Sequence, residues 1–133
     1  MFNGKMKALT ISYDDGVTQD KRLIQILDKY GLKATFNINS ELLGKEHKLF
    51  RGDTWVDHSR VNPEEVREVY KNHEIAVHTL THPTLPTVED DAEIVRQVEQ
   101  DRLNLSELAG YEVIGMAYPG GGVNNSERVA EII

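Results

Sequence analysis

Two adjacent aspartates, Asp14 and Asp15, close an alternating apolar run and are followed by Gly16, in the stretch Ser12-Tyr13-Asp14-Asp15-Gly16. Far downstream, His78-Thr79-Leu80-Thr81-His82 places two imidazoles four residues apart. One carboxylate and two imidazoles make a facial set for a divalent cation, and they leave positions open for water and substrate. A second carboxylate beside them need not be a ligand. It can take a proton from bound water, whose pKa the cation lowers toward about 7. The chain has no cysteine, so thiolate sites and disulfides are excluded and any metal must be held by histidine and carboxylate.

Each motif has a bland reading. Asp-Asp-Gly after a strand is also the composition of an ordinary turn, and surface histidines four apart are common. What gives the pair weight is that both close strand-like segments. His47, His58 and His73 have no such placement and read as structural or exposed, with His73 near a helix end. Trp55 and Phe50 read as a small local apolar cluster rather than a sugar platform.

The elements that must position these residues alternate along the chain. Lys7 to Tyr13 alternates, with Leu9, Ile11 and Tyr13 on one side and Ala8, Thr10 and Ser12 on the other, so that Asp14 continues the polar side. A helix is predicted from Thr18, as its N-cap, through Leu23, Ile24 and Leu27 to a stop at Gly31. A second strand follows at 33–39. Residues 40–61 show no sustained period and read as a long loop or small insertion with a hairpin. Asn62, Pro63 and Glu65 form a helix start leading into Val66, Val69 and Tyr70. A third strand spans 74–79, and a long helix from about Val88 to Ala109 is predicted to bury Val95, Val98, Leu105 and Leu108 before Gly110 ends it. Residues 113–119 form a fourth strand, and 126–133 open a last helix whose Val129, Ile132 and Ile133 have little left to cover.

This order implies parallel strands joined by right-handed crossovers. Each strand has one apolar face and one small or polar face, which suits a barrel with Thr10, Ser12, Asn37, Ala76, Gly115 and Ala117 inside. The fold class is therefore α/β, a partial (β/α) barrel of about four parallel strand-helix units, with the motifs converging on the carboxyl-end rim. A closed barrel of this kind takes about 250 residues, and the chain has 133. It is expected to be one domain truncated at the C-terminus, prone to self-association through unpaired sheet edges.

Composition narrows the partners. There are 22 Asp and Glu against 15 Lys and Arg, a net charge of −7, with no basic cluster; nucleic acid is not expected as a partner. No apolar run approaches a membrane span, and the N-terminal stretch lacks the apolar core of a secretory signal. As written, the sequence carries no export address.

At these residues the chain resembles the polysaccharide deacetylase family, the NodB-homology carbohydrate esterases, over essentially its whole length. The first family motif, usually Thr-Phe-Asp-Asp-Gly, is matched at residues 12–16, and the second, His-Ser/Thr-x-x-His, at 78–82. The resemblance implies a distorted TIM-like barrel and a hydrolase that removes acetyl groups from N- or O-acetylated carbohydrate. It implies Asp14 as general base and Asp15, His78 and His82 as ligands of a divalent metal, most often zinc. The third motif, often Arg-x-Pro-Tyr-Gly, aligns with residues 117–121 and implies an oxyanion and substrate-binding role for Tyr118, Pro119 and Gly120. There the usual arginine, which orients the base, is Ala117, and the usual tyrosine is Gly120. The later motifs, with a further acid and a general-acid histidine, have no counterpart after Tyr118. Many relatives are secreted or envelope-associated. Alternatives are hydrolysis of a cyclic amide or ureide at the same metal site, a non-haem iron oxygenase, and a carbohydrate-binding relative without turnover.

Overall fold

The computed structural model describes Gly4 and residues 6–133. Three parallel strands form its centre: β1 (Ser12–Asp14), β2 (Thr35–Ile38) and, in the order β1-β2-β5, β5 (Glu74–Val77). Phe36 and Ile38 point to the helical side and are fully buried, whereas Asn37 points to the other side. Asn37 Nδ2 donates there to Ser12 Oγ at 2.8 Å and to Asp14 Oδ1 at 2.7 Å. The polar interior face inferred from the alternation is thus present. Leu9, on the apolar side of the pattern, is nevertheless exposed.

The first crossover is α1 (Asp20–Lys29), which buries Ile24 and Leu27. It starts later than predicted: the cap position is Gln19, and Thr18 Oγ1 bonds the Gln19 side chain instead of the helix. Residues 40–61 resolve into a 3-10 turn (Ser40–Leu42) and an antiparallel hairpin, β3 (Lys48–Arg51) with β4 (Thr54–Asp57). The next start signal holds, since Asn62 and Glu65 form a capping box with Pro63 in the first turn. The helix that follows, α2 (Val66–Val69), is short.

The long helix is three pieces in sequence: α3 (Asp91–Val95), a π-helical turn (Arg96–Gln100) and α4 (Asp101–Ala109). The π turn shifts the buried stripe. Ile94, Gln97, Asp101, Leu105 and Ala109 are buried, while Val95, predicted to be inside, is 45% exposed. Two polar residues thus occupy a buried face, and both bond backbone of the loop after β5.

The predicted fourth strand shrinks to one parallel bridge, Val77 with Met116, carried by Val77 N–H to Gly115 O at 2.8 Å and Ala117 N–H to Val77 O at 2.9 Å. Pro119 has no N–H to continue the ladder, and Gly120, Gly121 and Gly122 follow it. The last helix, α5 (Glu127–Ile132), corrects the sequence reading: Val129 is fully buried with Leu85 and Ile94, and Ile132 packs on that cluster. Ser126 caps it, accepting from Val129 N–H at 3.2 Å. The larger core joins Phe36, Ile38, Ile75 and Val77 to Val66, Tyr70, Leu105 and Val113. No barrel closes among the described residues, and no helix there is long and apolar enough to cross a membrane.

A buried acid sits at the start of α1. Asp20 is 3% exposed and accepts from the Tyr70 hydroxyl at 2.8 Å. Burial raises its pKa from 3.8 to about 6, against the opposing effects of that hydrogen bond and of Arg60, with Asp15 adding to the rise. In this window the folded chain binds a proton that the unfolded chain has already released, so this group's contribution to stability falls as pH rises from about 4 to about 6. The size is about 3 kcal/mol for about two units. Urea unfolding at pH 4 and pH 7 should show wild type losing more stability on this rise than Asp20→Asn, by a difference on the order of 2 kcal/mol. Parallel pH profiles for the two proteins would show that Asp20 does not titrate in this way.

Candidate metal centre

The site is built where β1 and β5 end. Asp15 N–H continues the ladder to Asn37 O at 2.8 Å, and the chain then turns through two left-handed residues, Asp15 (φ 83°) and Gly16 (φ 64°). A Cβ on Gly16 would stand 3.1 Å from Ile38 Cγ2, so both backbone angle and space call for glycine. Among the described residues the non-glycine positions with positive φ are Asp15, Thr79 and His82, all within the two motifs. A β-branched residue in that region is strained by about 1–3 kcal/mol, and such strain gathers at functional sites.

The surroundings over-determine the strained loop. Asn39 Nδ2 donates to Thr79 O at 2.9 Å, and Thr79 Oγ1 accepts from His82 N–H at 3.2 Å. Gln97 O, on the π turn, accepts from Leu80 N–H at 3.0 Å, and Gln97 Oε1 accepts from Thr81 N–H at 3.1 Å. Asp101 is fully buried and accepts from His78 N–H at 3.1 Å and Ser40 N–H at 2.7 Å. Burial raises its pKa to about 6 even though these bonds pull it down.

These constraints bring one donor atom each of Asp15, His78 and His82 within 4.8 Å of one another. Asp15 Oδ1 lies 3.4 Å from His82 Nε2 and 3.9 Å from His78 Nε2. Two donors about 2.1 Å from one ion can be at most about 4.2 Å apart, so both separations suit a shared divalent cation. Asp15 Oδ1 and His78 Nε2 are buried and have no hydrogen-bond partner. His78 Nδ1 lies 2.9 Å from Ala117 O, and a carbonyl can only accept, so Nδ1 carries the proton and Nε2 keeps its lone pair. Burial also pushes the His78 pKa down, favouring the neutral ring that coordination needs. The residues fit a metal.

Sequence reasoning missed two neighbours. His58 Nε2 lies 3.0 Å from Asp15 Oδ2, and Arg60 Nη2 lies 3.6 Å from Asp15 Oδ1. Both arrive because the exit of the hairpin pairs with the end of the first turn: Thr18 N–H bonds Ser59 O at 2.9 Å and Val61 N–H bonds Gly16 O at 2.9 Å. No local pattern signals this. Burial, with Arg60 adding, pushes the His58 pKa down against its bond to Asp15. His73 is structural as read, with Nδ1 accepting from Ala34 N–H at 3.2 Å.

The remaining sequence-predicted residues lie around this centre. Asp14 is on the Asn37 face and exposed. Tyr118 packs on the Leu85, Ile94 and Val129 cluster, Pro119 is buried, and Gly120 is exposed at φ 82°. None of these three lines the pocket of about 470 Å³ in front of Asp15 and His82.

The family model for polysaccharide deacetylases matches residues 3–131. The chain belongs to this family. No curated protein matches it in sequence. Its fold is similar to that of Streptococcus pyogenes deacetylase PplD in complex with acetate, at 20% identity and a TM-score of 0.78, over 97% of this chain and 52% of that one. It is similar too to a Bacillus cereus polysaccharide deacetylase, at 18% identity and a TM-score of 0.73, over 92% of this chain and 36% of that one. A family 4 carbohydrate esterase from Streptomyces lividans in complex with acetate matches at 17% identity and a TM-score of 0.67, over 96% of this chain and 59% of that one. The chain spans between about a third and three fifths of their lengths. These likenesses make its architecture the open portion of the distorted TIM-barrel fold of family 4 deacetylases.

Calorimetric titration of zinc should find one site, weakened by one to two orders of magnitude or more in His82→Ala. His58→Ala, which removes only the bond that holds Asp15, should weaken it about tenfold. His47→Ala should leave it unchanged. Equal affinity in wild type and His82→Ala would remove the metal centre from consideration.

Proposed function

We propose that this chain carries the metal-binding part of a carbohydrate deacetylase that hydrolyses the acetyl group of an N- or O-acetylated sugar. The observation that supports this best is the pair of buried, unpartnered donors, Asp15 Oδ1 and His78 Nε2, with the exposed carboxylate of Asp14 next in the chain. Asp15, His78 and His82 would hold the ion, and an oxygen and two imidazole nitrogens favour zinc over calcium or magnesium. A bound divalent cation would supply Lewis acidity toward water and the acetyl carbonyl.

The chain's own residues account for the rest. Asp14 accepts the proton of the attacking water, and Asn37 fixes one of its oxygens at 2.7 Å so that the other remains available. Ala117 O fixes the His78 ring and its tautomer. His58 holds Asp15 Oδ2, which leaves Oδ1 toward His78 and His82. The family resemblance assigns the Gly120 amide to the developing oxyanion, a role that needs no side chain, although Gly120 does not line the pocket in front of Asp15 and His82. A second reading, sugar binding without turnover, is favoured by Ala117 standing where the family has its base-orienting arginine.

The two aspartates separate these readings. In the natural full-length protein, Asp14→Asn should lower acetate release by at least about a thousandfold while zinc affinity stays within about threefold, and Asp15→Asn should lose zinc. Near-normal turnover in Asp14→Asn would take the base role from it. Sugar binding with no acetate release in the wild type would favour the second reading.

A further inference from the structure

The hairpin does more than deliver His58. Its register pairs Lys48 with Asp57, Leu49 with Val56 and Phe50 with Trp55. Side chains alternate along a strand, so His47, Leu49 and Arg51 share the face of His58, and Phe50 and Trp55 share the opposite one. The two aromatic rings contact each other there, 5.3 Å between centroids, as the local cluster read from sequence. At the hairpin base His58 N–H bonds His47 O at 2.8 Å, and the two rings lie 6.1 Å apart.

The inward face walls the pocket of about 470 Å³ whose lining also includes Asp15 and His82. That volume is within the range of ligand sites, about 300–1,000 Å³. Its charged groups are Lys45, Arg51 and Arg60 against Glu46 and Asp15, with the imidazoles of His47 and His58 among them as hydrogen-bonding groups. In a chain with 22 acidic and 15 basic residues this inverts the average. Lys21, Lys71, Arg96, Arg102 and Arg128 each have a carboxylate within 4.0 Å, whereas Lys7, Arg22, Lys29, Lys33, Lys48 and Arg67, which do not line the pocket, have none that close among the described residues. Lys45 and Arg51 have none among the described residues. Arg60 is nine-tenths buried; its Nη1 donates to His58 O at 2.8 Å and its Nη2 lies 3.6 Å from Asp15 Oδ1, while its Nε has no hydrogen-bond partner. Unpaired cations around a concavity, with a buried guanidinium short of an acceptor, suit a carboxylate or phosphate.

We propose that this pocket is an anion subsite, so that the substrate class is an acetylated sugar bearing a carboxylate or phosphate rather than a neutral one. This rests on the deacetylase reading, because Asp15 and His82 belong to both the pocket and the metal triad and so place the anion and the acetyl group on one ligand.

The test measures binding, not turnover. The zinc-loaded 133-residue chain is titrated with N-acetylglucosamine, N-acetylmuramic acid and N-acetylglucosamine 6-phosphate, and so is a Lys45→Gln/Arg51→Gln variant, whose changed side chains are exposed. At least one acidic sugar should bind about tenfold more tightly than the neutral one, and the variant should lose that gap while melting at the wild-type temperature. Comparing the two acidic sugars tells carboxylate from phosphate. Equal affinities, no binding by any of the three, or a preference that survives in the variant each overturn the subsite. Zinc-dependent acetate release from neutral sugar without acid preference sinks the subsite and keeps the deacetylase. Acid preference without acetate release from any sugar in the full-length protein keeps the subsite and sinks the deacetylase.

Discussion

A carboxylate whose side chain is only 19% exposed needs partners, and Asp15 draws them from two distant segments of the chain. His58 and Arg60 come from the exit of the hairpin, and His78 and His82 from the loop after β5. One carboxylate oxygen is bonded to His58. The other has no hydrogen-bond partner and faces Nε2 of His78, whose proton is on Nδ1, and Nε2 of His82; a buried polar atom left in that state costs about 1–3 kcal/mol. The fold therefore keeps an unsatisfied polar set at its rim, held in place by the packing of Phe36, Ile38, Ile75 and Val77 beneath it. Such an arrangement is unfavourable for the protein alone and favourable with a cation among the donors.

Rigidity on the histidine side comes from an irregular helix. A regular helix across residues 91–109 would have spent the Gln97 carbonyl on its own ladder. The π turn frees it for Leu80 N–H, and the same rotation sets Asp101 against His78 N–H and Ser40 N–H. Leu80 is fully buried, so the loop between the histidines is anchored by an apolar side chain as well as by backbone bonds. Thr79 and His82 can then hold positive φ, because relaxing either one would break this set.

Both motifs and their placement at strand ends were legible in the sequence because each is local: a turn after an alternating run, and two histidines leaving a strand. The α/β order and the interior position of Asn37 followed from the same alternation. His58 and Arg60 were not legible, since they reach Asp15 through pairing of residues 16–18 with 59–61 across an intervening helix, strand and hairpin. Val95 was misplaced because a 3.6-residue period cannot anticipate a π turn, and Ile94 is buried in its stead. The fourth strand was overread: its apolar pattern is real, but Val113 serves the core while Ile114 is exposed, and only Met116 pairs. The last helix was underread, because nothing local shows that Leu85 and Ile94 form a separate cluster waiting for Val129.

The substitution at Ala117 looks from sequence like the loss of a supporting charge, and the structure divides that loss into two parts. The support of His78 is a main-chain oxygen and does not depend on the side chain at 117. The orientation of Asp14 falls to Asn37, which is buried and tied to Ser12 as well, so its amide cannot swing away without losing a second bond. An amide fixes direction but contributes no charge, whereas a guanidinium would also favour the ionised carboxylate. The buried guanidinium of this site, Arg60, stands instead beside Asp15, 3.6 Å from the oxygen that a cation would use. Under the proposed reading, cation and Arg60 compete for one carboxylate oxygen. Asp20 also acts on the Arg60 charge, after Asp15, so removing the charge at residue 60 should leave the Asp15 oxygen to the cation alone and tighten its binding.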